Sequence, residues 1–166
     1  DEDINTYDVT GGRLAVLWNI SDDWSALLSY VAEDSELEGS WDTDPALGDY
    51  KITRFVDEMR DDDWYSSAFT LKGDLGFADL SATATHYGRD IVYLWDNHAY
   101  SQYKDAYYGY GLYDTDYTRS NTFNDQEQQR DAAEIRLVSK DDSKLLWMAG
   151  AYWEDVYDQW YYGAGY

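Results

Sequence analysis

The sequence predicts an all-β protein of antiparallel strands in hairpins, and three observations predict it. Apolar and polar residues alternate with a period of two through several stretches, which is the period of strands. Short polar turns join these stretches in pairs. Proline, which cannot donate to a sheet ladder, occurs once, at Pro45.

The first hairpin spans about 12–32. Leu14, Val16, Trp18 and Ile20 share one face, Ser21-Asp22-Asp23 turns, and Trp24 to Ala32 returns. The second spans about 64–88. Tyr65, Phe69, Leu71 and Leu75 alternate with Ser66, Ala68, Thr70, Lys72 and Asp74, leaving gaps at Ser67 and Gly73. After Gly76-Phe77, Ala78, Leu80, Ala82 and Ala84 alternate with Asp79, Ser81, Thr83 and Thr85. The third spans about 132–154. Ala133, Ile135 and Leu137 alternate with Glu134 and Arg136, Lys140 to Ser143 turns, and Leu145, Trp147, Ala149, Ala151 and Trp153 share a face of the returning strand.

The connections between hairpins are long, about 33–63 and 89–131. The first holds 12 acidic and three basic residues, and the second eight acidic and four basic. Connections of this length in a compact domain are usually functional. Short turns alternating with long loops are the pattern of an outer-membrane barrel. A soluble antiparallel sandwich with two long loops has the same pattern of elements.

Composition narrows the function. The 166 residues carry 34 acidic and 12 basic side chains, a formal net charge of -22. That balance excludes electrostatic binding to nucleic acid or to anionic headgroups. There is no cysteine, hence no disulfide framework and no cysteine-based metal site. With 18% aromatic residues, 18 of them tyrosines and eight tryptophans, the chain is no disordered acidic tail. Tyr and Trp have an apolar body and a polar tip, and they gather at interfaces. No apolar run has the length of a membrane-spanning helix. A chain beginning at Asp1 is expected to be processed or to be a piece of something longer.

Several stretches resemble TonB-dependent outer-membrane receptors. Thr6-Tyr-Asp-Val-Thr-Gly-Gly-Arg-Leu-Ala15 resembles the start of one of their barrel strands, and Trp18-Asn-Ile-Ser-Asp-Asp-Trp24 their strand, turn and return strand. The strongest match is Glu134-Ile-Arg-Leu-Val-Ser139 with Leu146-Trp-Met-Ala-Gly-Ala-Tyr-Trp-Glu-Asp155; Arg89-Asp-Ile-Val-Tyr-Leu-Trp-Asp96 resembles a strand running into an outer loop. The resemblance covers nearly the whole chain but only a minor part of the family's barrel, with no plug domain. It implies a partial barrel wall in the outer membrane of a Gram-negative bacterium. The parent would take up a nutrient, a ferric chelate or a carbohydrate. Its partners would be the remaining strands, the plug and the energy-coupling protein.

A six-strand piece leaves its first and last edges unpaired, and such edges template association. The alternative is therefore a cross-β, amyloid-like filament: a processed fragment that polymerises with copies of itself into an extracellular structural fibre. In an in-register stack each carboxylate lies about 4.7–4.8 Å from its copy. Assembly would then need acid, screening or bridging Ca²⁺. A third reading is a soluble acidic sandwich that binds sugar or Ca²⁺.

Candidate ligand contacts are Tyr100, Tyr103, Tyr107, Tyr108, Tyr110 and Tyr113, in a segment holding eight tyrosines from Tyr93 to Tyr117. Their rings suit stacking on sugars or flat chelates; an aromatic girdle with loop packing explains them equally. Candidate Ca²⁺ ligands are the pairs Asp42 and Asp44, and Asp114 and Asp116, with the triplet Asp61, Asp62 and Asp63. No complete calcium loop appears. Asp1-Glu-Asp3-Ile-Asn5 opens like one, but Thr6 and Gly12 stand where Gly and Glu belong. His86 and His98 are too few for a clear transition-metal site. No nucleophile elbow, P-loop or metalloprotease motif occurs, so the expected role is not enzymatic.

Overall fold

The computed structural model describes residues 5–108 and 120–165. Six strands form one antiparallel sheet in chain order. They are β1 (Tyr7–Asn19), β2 (Trp24–Glu38), β3 (Met59–Asp74), β4 (Ala78–Asp96), β5 (Asn121–Ser139) and β6 (Met148–Gly165), with helix α1 (His98–Tyr108) between β4 and β5.

The three hairpins close at one rim. Trp24 O accepts from Ile20 N at 2.9 Å and from Ser21 N at 3.2 Å, and Leu75 N donates to Ala78 O at 3.0 Å. Gly76 takes the positive φ, 84°, that the tight β3–β4 turn requires. The β5–β6 turn is longer than the alternation predicts. Ser139 N bonds Trp147 O at 2.9 Å, and Trp147 N bonds Ser139 Oγ at 3.0 Å, so Leu145 and Trp147 belong to the turn and the strand begins at Met148.

At the other rim the strands run further than expected. β2 continues to Glu38, β3 starts at Met59, β4 reaches Asp96 and β5 starts at Asn121. The connections shrink to 39–58 and 97–120. Pairing continues past the apolar residues: Asp34↔Asp63 and Asp90↔Glu127 are ladder partners like any other. The apolar alternation stops there on β2 and β3 because Glu33 to Glu38 and Arg60 to Asp63 are polar or charged at nearly every position.

Register divides the side chains into two faces. One is apolar in its turn-side half. It carries Leu14, Val16 and Trp18 on β1, Ala26 and Leu28 on β2, and Phe69 and Leu71 on β3. Leu80, Ala82 and Ala84 on β4, Ala133, Ile135 and Leu137 on β5, and Ala149, Ala151 and Trp153 on β6 complete the band. In its loop-side half the same face is acidic, with Asp8, Asp34, Glu36, Asp61, Asp63, Asp90, Asp125 and Glu127. The opposite face is more polar, interrupted by Val9, Leu17, Leu27, Val31, Leu37, Ile91, Val138, Met148 and Val156. It holds every lysine and arginine of the strands: Arg13, Arg60, Lys72, Arg89, Arg130 and Arg136.

No layer covers the band among the described residues. Among the described residues the buried hydrophobic ones are Ala26, Ala78 and Ile91 alone, while Leu14, Trp18, Leu28 and Trp153 are each more than half exposed. The accessible surface is 12161 Å². A compact globule of 19.3 kDa exposes roughly 8,500 Å². Among the described residues β1 and β6 have no second strand neighbour, and their outer edges stand open.

Candidate functional site

The apolar band is bounded by aromatic side chains. On its loop side Tyr30 and Tyr65 stack with ring centroids 6.2 Å apart, and Tyr65 lies 5.6 Å from the His86 ring. His86 Nδ1 lies 2.7 Å from Asp131 Oδ1, and His86 Nε2 lies 2.9 Å from the Tyr65 hydroxyl, so the ring bridges the two side chains. Two glycines make room for rings from the neighbouring strand. A Cβ on Gly88 would stand 2.7 Å from Tyr65, and one on Gly73 2.4 Å from Trp24. On β3 the band thus runs from Tyr65 to Gly73, close to the 9–11 residues of a transmembrane β-strand.

Beyond this row stand Asp34, Asp63 and Asp90, opposite one another on three strands. A hydrogen bond shared with Asp34, together with some burial and the charges of Asp34, Asp90 and Asp61, holds Asp63 above the usual carboxylate range.

The polar face gathers rings and amides at the loop rim. Tyr93, Asn124 and Tyr162 are direct ladder partners on β4, β5 and β6, with Ile91, Gln126 and Trp160 in the next row. Tyr93 and Trp95 lie 5.8 Å apart, and Trp160 and Tyr162 meet edge-on at 6.4 Å. Asn124 is fully buried; its Oδ1 accepts from Trp160 Nε1, while its Nδ2 finds no acceptor.

Polar bonds brace this rim. Arg89 grips Asp62 with Nε at 2.7 Å and a terminal nitrogen at 2.6 Å, and Arg60 also bonds Asp62. Burial opposes ionisation of Asp62, but these bonds hold its carboxyl below the usual range. Glu58 fastens the 39–58 connection. Its carboxylate accepts from Ser40 N at 3.0 Å, Ser40 Oγ at 2.8 Å and Asp96 N at 3.0 Å, and pairs with Arg54 at 2.9 Å.

Those of the residues singled out from the sequence that are described lie in separate places. Tyr100, Tyr103 and Tyr107 stand exposed on α1, Tyr103 and Tyr107 stacked at 5.6 Å with Lys104 over Tyr100 at 5.3 Å. Tyr108 ends the helix and is described by its backbone alone. Tyr110, Tyr113, Asp114 and Asp116 lie outside the described residues. Asp42 pairs with Arg54 at 2.7 Å, and Asp44 turns onto the Ala46 amide at 2.9 Å. The triplet Asp61, Asp62 and Asp63 lies on β3 and not in a loop. Strand alternation sends Asp61 and Asp63 to one face and Asp62 to the other, so the three cannot converge on one ion. Among the described residues no three His, Asp or Glu side chains gather to hold a metal.

The ring-and-amide cluster of Tyr93, Trp95, Asn124, Gln126, Trp160 and Tyr162 was not expected from the sequence. Its signal is the register, which aligns residues from 91–95, 122–126 and 160–164. Comparison with protein-family models and with curated proteins gives no match.

Proposed function

We propose that the chain is a wall segment of a β-barrel receptor of the TonB-dependent type, serving nutrient uptake across an outer membrane. One observation carries the reading: a band of exposed apolar side chains crosses all six strands on one face, bounded by aromatic rings, with a polar face behind it. A barrel wall meets lipid on one side and a polar interior on the other. The turns fall at one rim and the longer connections at the other, as in such barrels. The remaining strands, the plug and the coupling protein would be supplied by the parent.

Tryptophan quenching by brominated lipids tests the proposal. In bilayers of bromine-labelled phosphatidylcholine, emission from Trp18 and Trp153 should be quenched, and each substitution to Phe should remove its share. A monodisperse monomer in detergent-free buffer, with no quenching, would overturn the wall reading.

A second reading rests on the open edges. β1 and β6 offer strands of 13 and 18 residues whose side chains are almost all exposed. Copies of the chain could pair there into an extracellular fibre. Electron microscopy without detergent should then reveal filaments with a repeat of about 4.7–4.8 Å; discrete particles only would rule this out.

A further inference from the structure

We infer that the ring-and-amide cluster at the loop rim of the polar face is a binding site for a short neutral oligosaccharide. The inference rests on the barrel-wall reading, which turns this face toward the interior, and it names the class of ligand taken up.

Three features point there. Trp160 and Tyr162 are 63% and 57% exposed, although they flank a fully buried asparagine. Rings left open beside a fixed polar group are surfaces for stacking, and the face of a sugar ring is apolar enough to stack on them. Asn124 spends its oxygen on Trp160 and keeps a donor with no acceptor. An unmet buried donor is costly, and a hydroxyl oxygen brought beside it would relieve that cost. Gln126 adds an amide in the neighbouring row, so donors and acceptors alternate as a polyhydroxyl ligand requires. Three strands and three rows span roughly 10 Å by 14 Å, the footprint of a short oligosaccharide.

The electrostatics argue against an anionic ferric chelate. Among the described residues the nearest guanidiniums, Arg60 and Arg89, share the one carboxylate of Asp62 and leave a single net positive charge, set against a formal net charge of -22 for the chain. Among the described residues nothing gathers to ligate a metal.

The test titrates the intact chain, reconstituted in detergent, with maltohexaose, cellohexaose, xylohexaose and a ferric trihydroxamate, following tryptophan emission. At least one hexaose should bind. Trp160→Ala should weaken it by about tenfold or more, the loss of one well-packed aromatic anchor. Tyr162→Ala should act in the same direction, and Trp41→Ala, in the 39–58 connection, should leave binding unchanged. Circular dichroism on each variant separates loss of fold from loss of ligand. Binding of none of the hexaoses, binding indifferent to both ring substitutions, or binding of the ferric chelate alone would overturn the inference. Quenching of Trp18 by brominated phosphatidylcholine, read on a parallel sample in bilayers, reports separately on the wall reading.

Discussion

Arg89 holds Asp62 across the β3–β4 seam with two parallel bonds, 2.7 and 2.6 Å long, on a carboxylate that is almost wholly buried. The pair is diagonal in the ladder, since Arg89 stands opposite Trp64 and Asp62 opposite Ile91. It pins the loop-side half of the sheet beside Ile91, one of the few buried apolar side chains among the described residues.

Removing that grip should be costly. Arg89→Ala leaves Asp62 with Arg60 alone, and an expected loss of about 1–3 kcal/mol follows from stranding a buried charge with half its partners. Arg89→Lys should recover only part, because an ammonium cannot make the forked pair. Guanidinium-induced unfolding in detergent measures both.

Asp63 gives a dependence on pH of the opposite sign to Asp62. Its folded pKa is raised, foremost by the shared proton with Asp34, so it favours folding while protonated and loses that contribution as pH rises through the folded value. Both residues lie beyond the apolar band. Asp63→Asn should therefore stabilise the protein at neutral pH by about 0.2–1 kcal/mol, the size of a relieved cross-strand repulsion. The gain should vanish below the carboxylate range, as paired unfolding curves at the two pH values would reveal.

The glycines under the rings are steric requirements. Gly88→Val places a side chain where the Tyr65 ring lies and should cost about 1–3 kcal/mol. It should also break the Tyr65–His86 hydrogen bond, which the His86 ring resonances in NMR would register.

The two faces should respond differently to charge. Ile135→Arg puts a cation into the apolar band and should destabilise the bilayer-inserted state by about 2–4 kcal/mol if Ile135 sits near the midplane. Thr83→Arg, on the polar face of the neighbouring strand, should be tolerated. Folding titrations into phosphatidylcholine vesicles compare them; equal effects would contradict a lipid-facing band.

The hairpins were legible where one face is apolar. Phe69, Leu71, Ala82, Ala84 and Ile135 mark their faces by period alone, and Gly76 marks its turn. The outer halves of the strands were not legible, because Glu33 to Glu38 and Asn121 to Asp131 are themselves polar at nearly every position and carry no apolar rhythm. Helix α1 left a trace that went unread: Tyr100, Tyr103 and Tyr107 recur at three and four residues, the spacing of one helix side. The acidic triplet misled because adjacency in sequence means opposite faces in a strand. Trp160, Asn124 and Tyr93 become neighbours only once register is known, and register depends on turn lengths that alternation does not give.

The open sheet also imposes a rule of parity. β1 runs toward the turn rim and β6 runs away from it, so the two edges already point in opposite directions. Whatever strands complete an alternating ring around them must come in an even number, in whole hairpins. A segment of this kind can be added to or removed from a barrel as a module, without reversing a single neighbouring strand or turning any side chain from lipid to lumen.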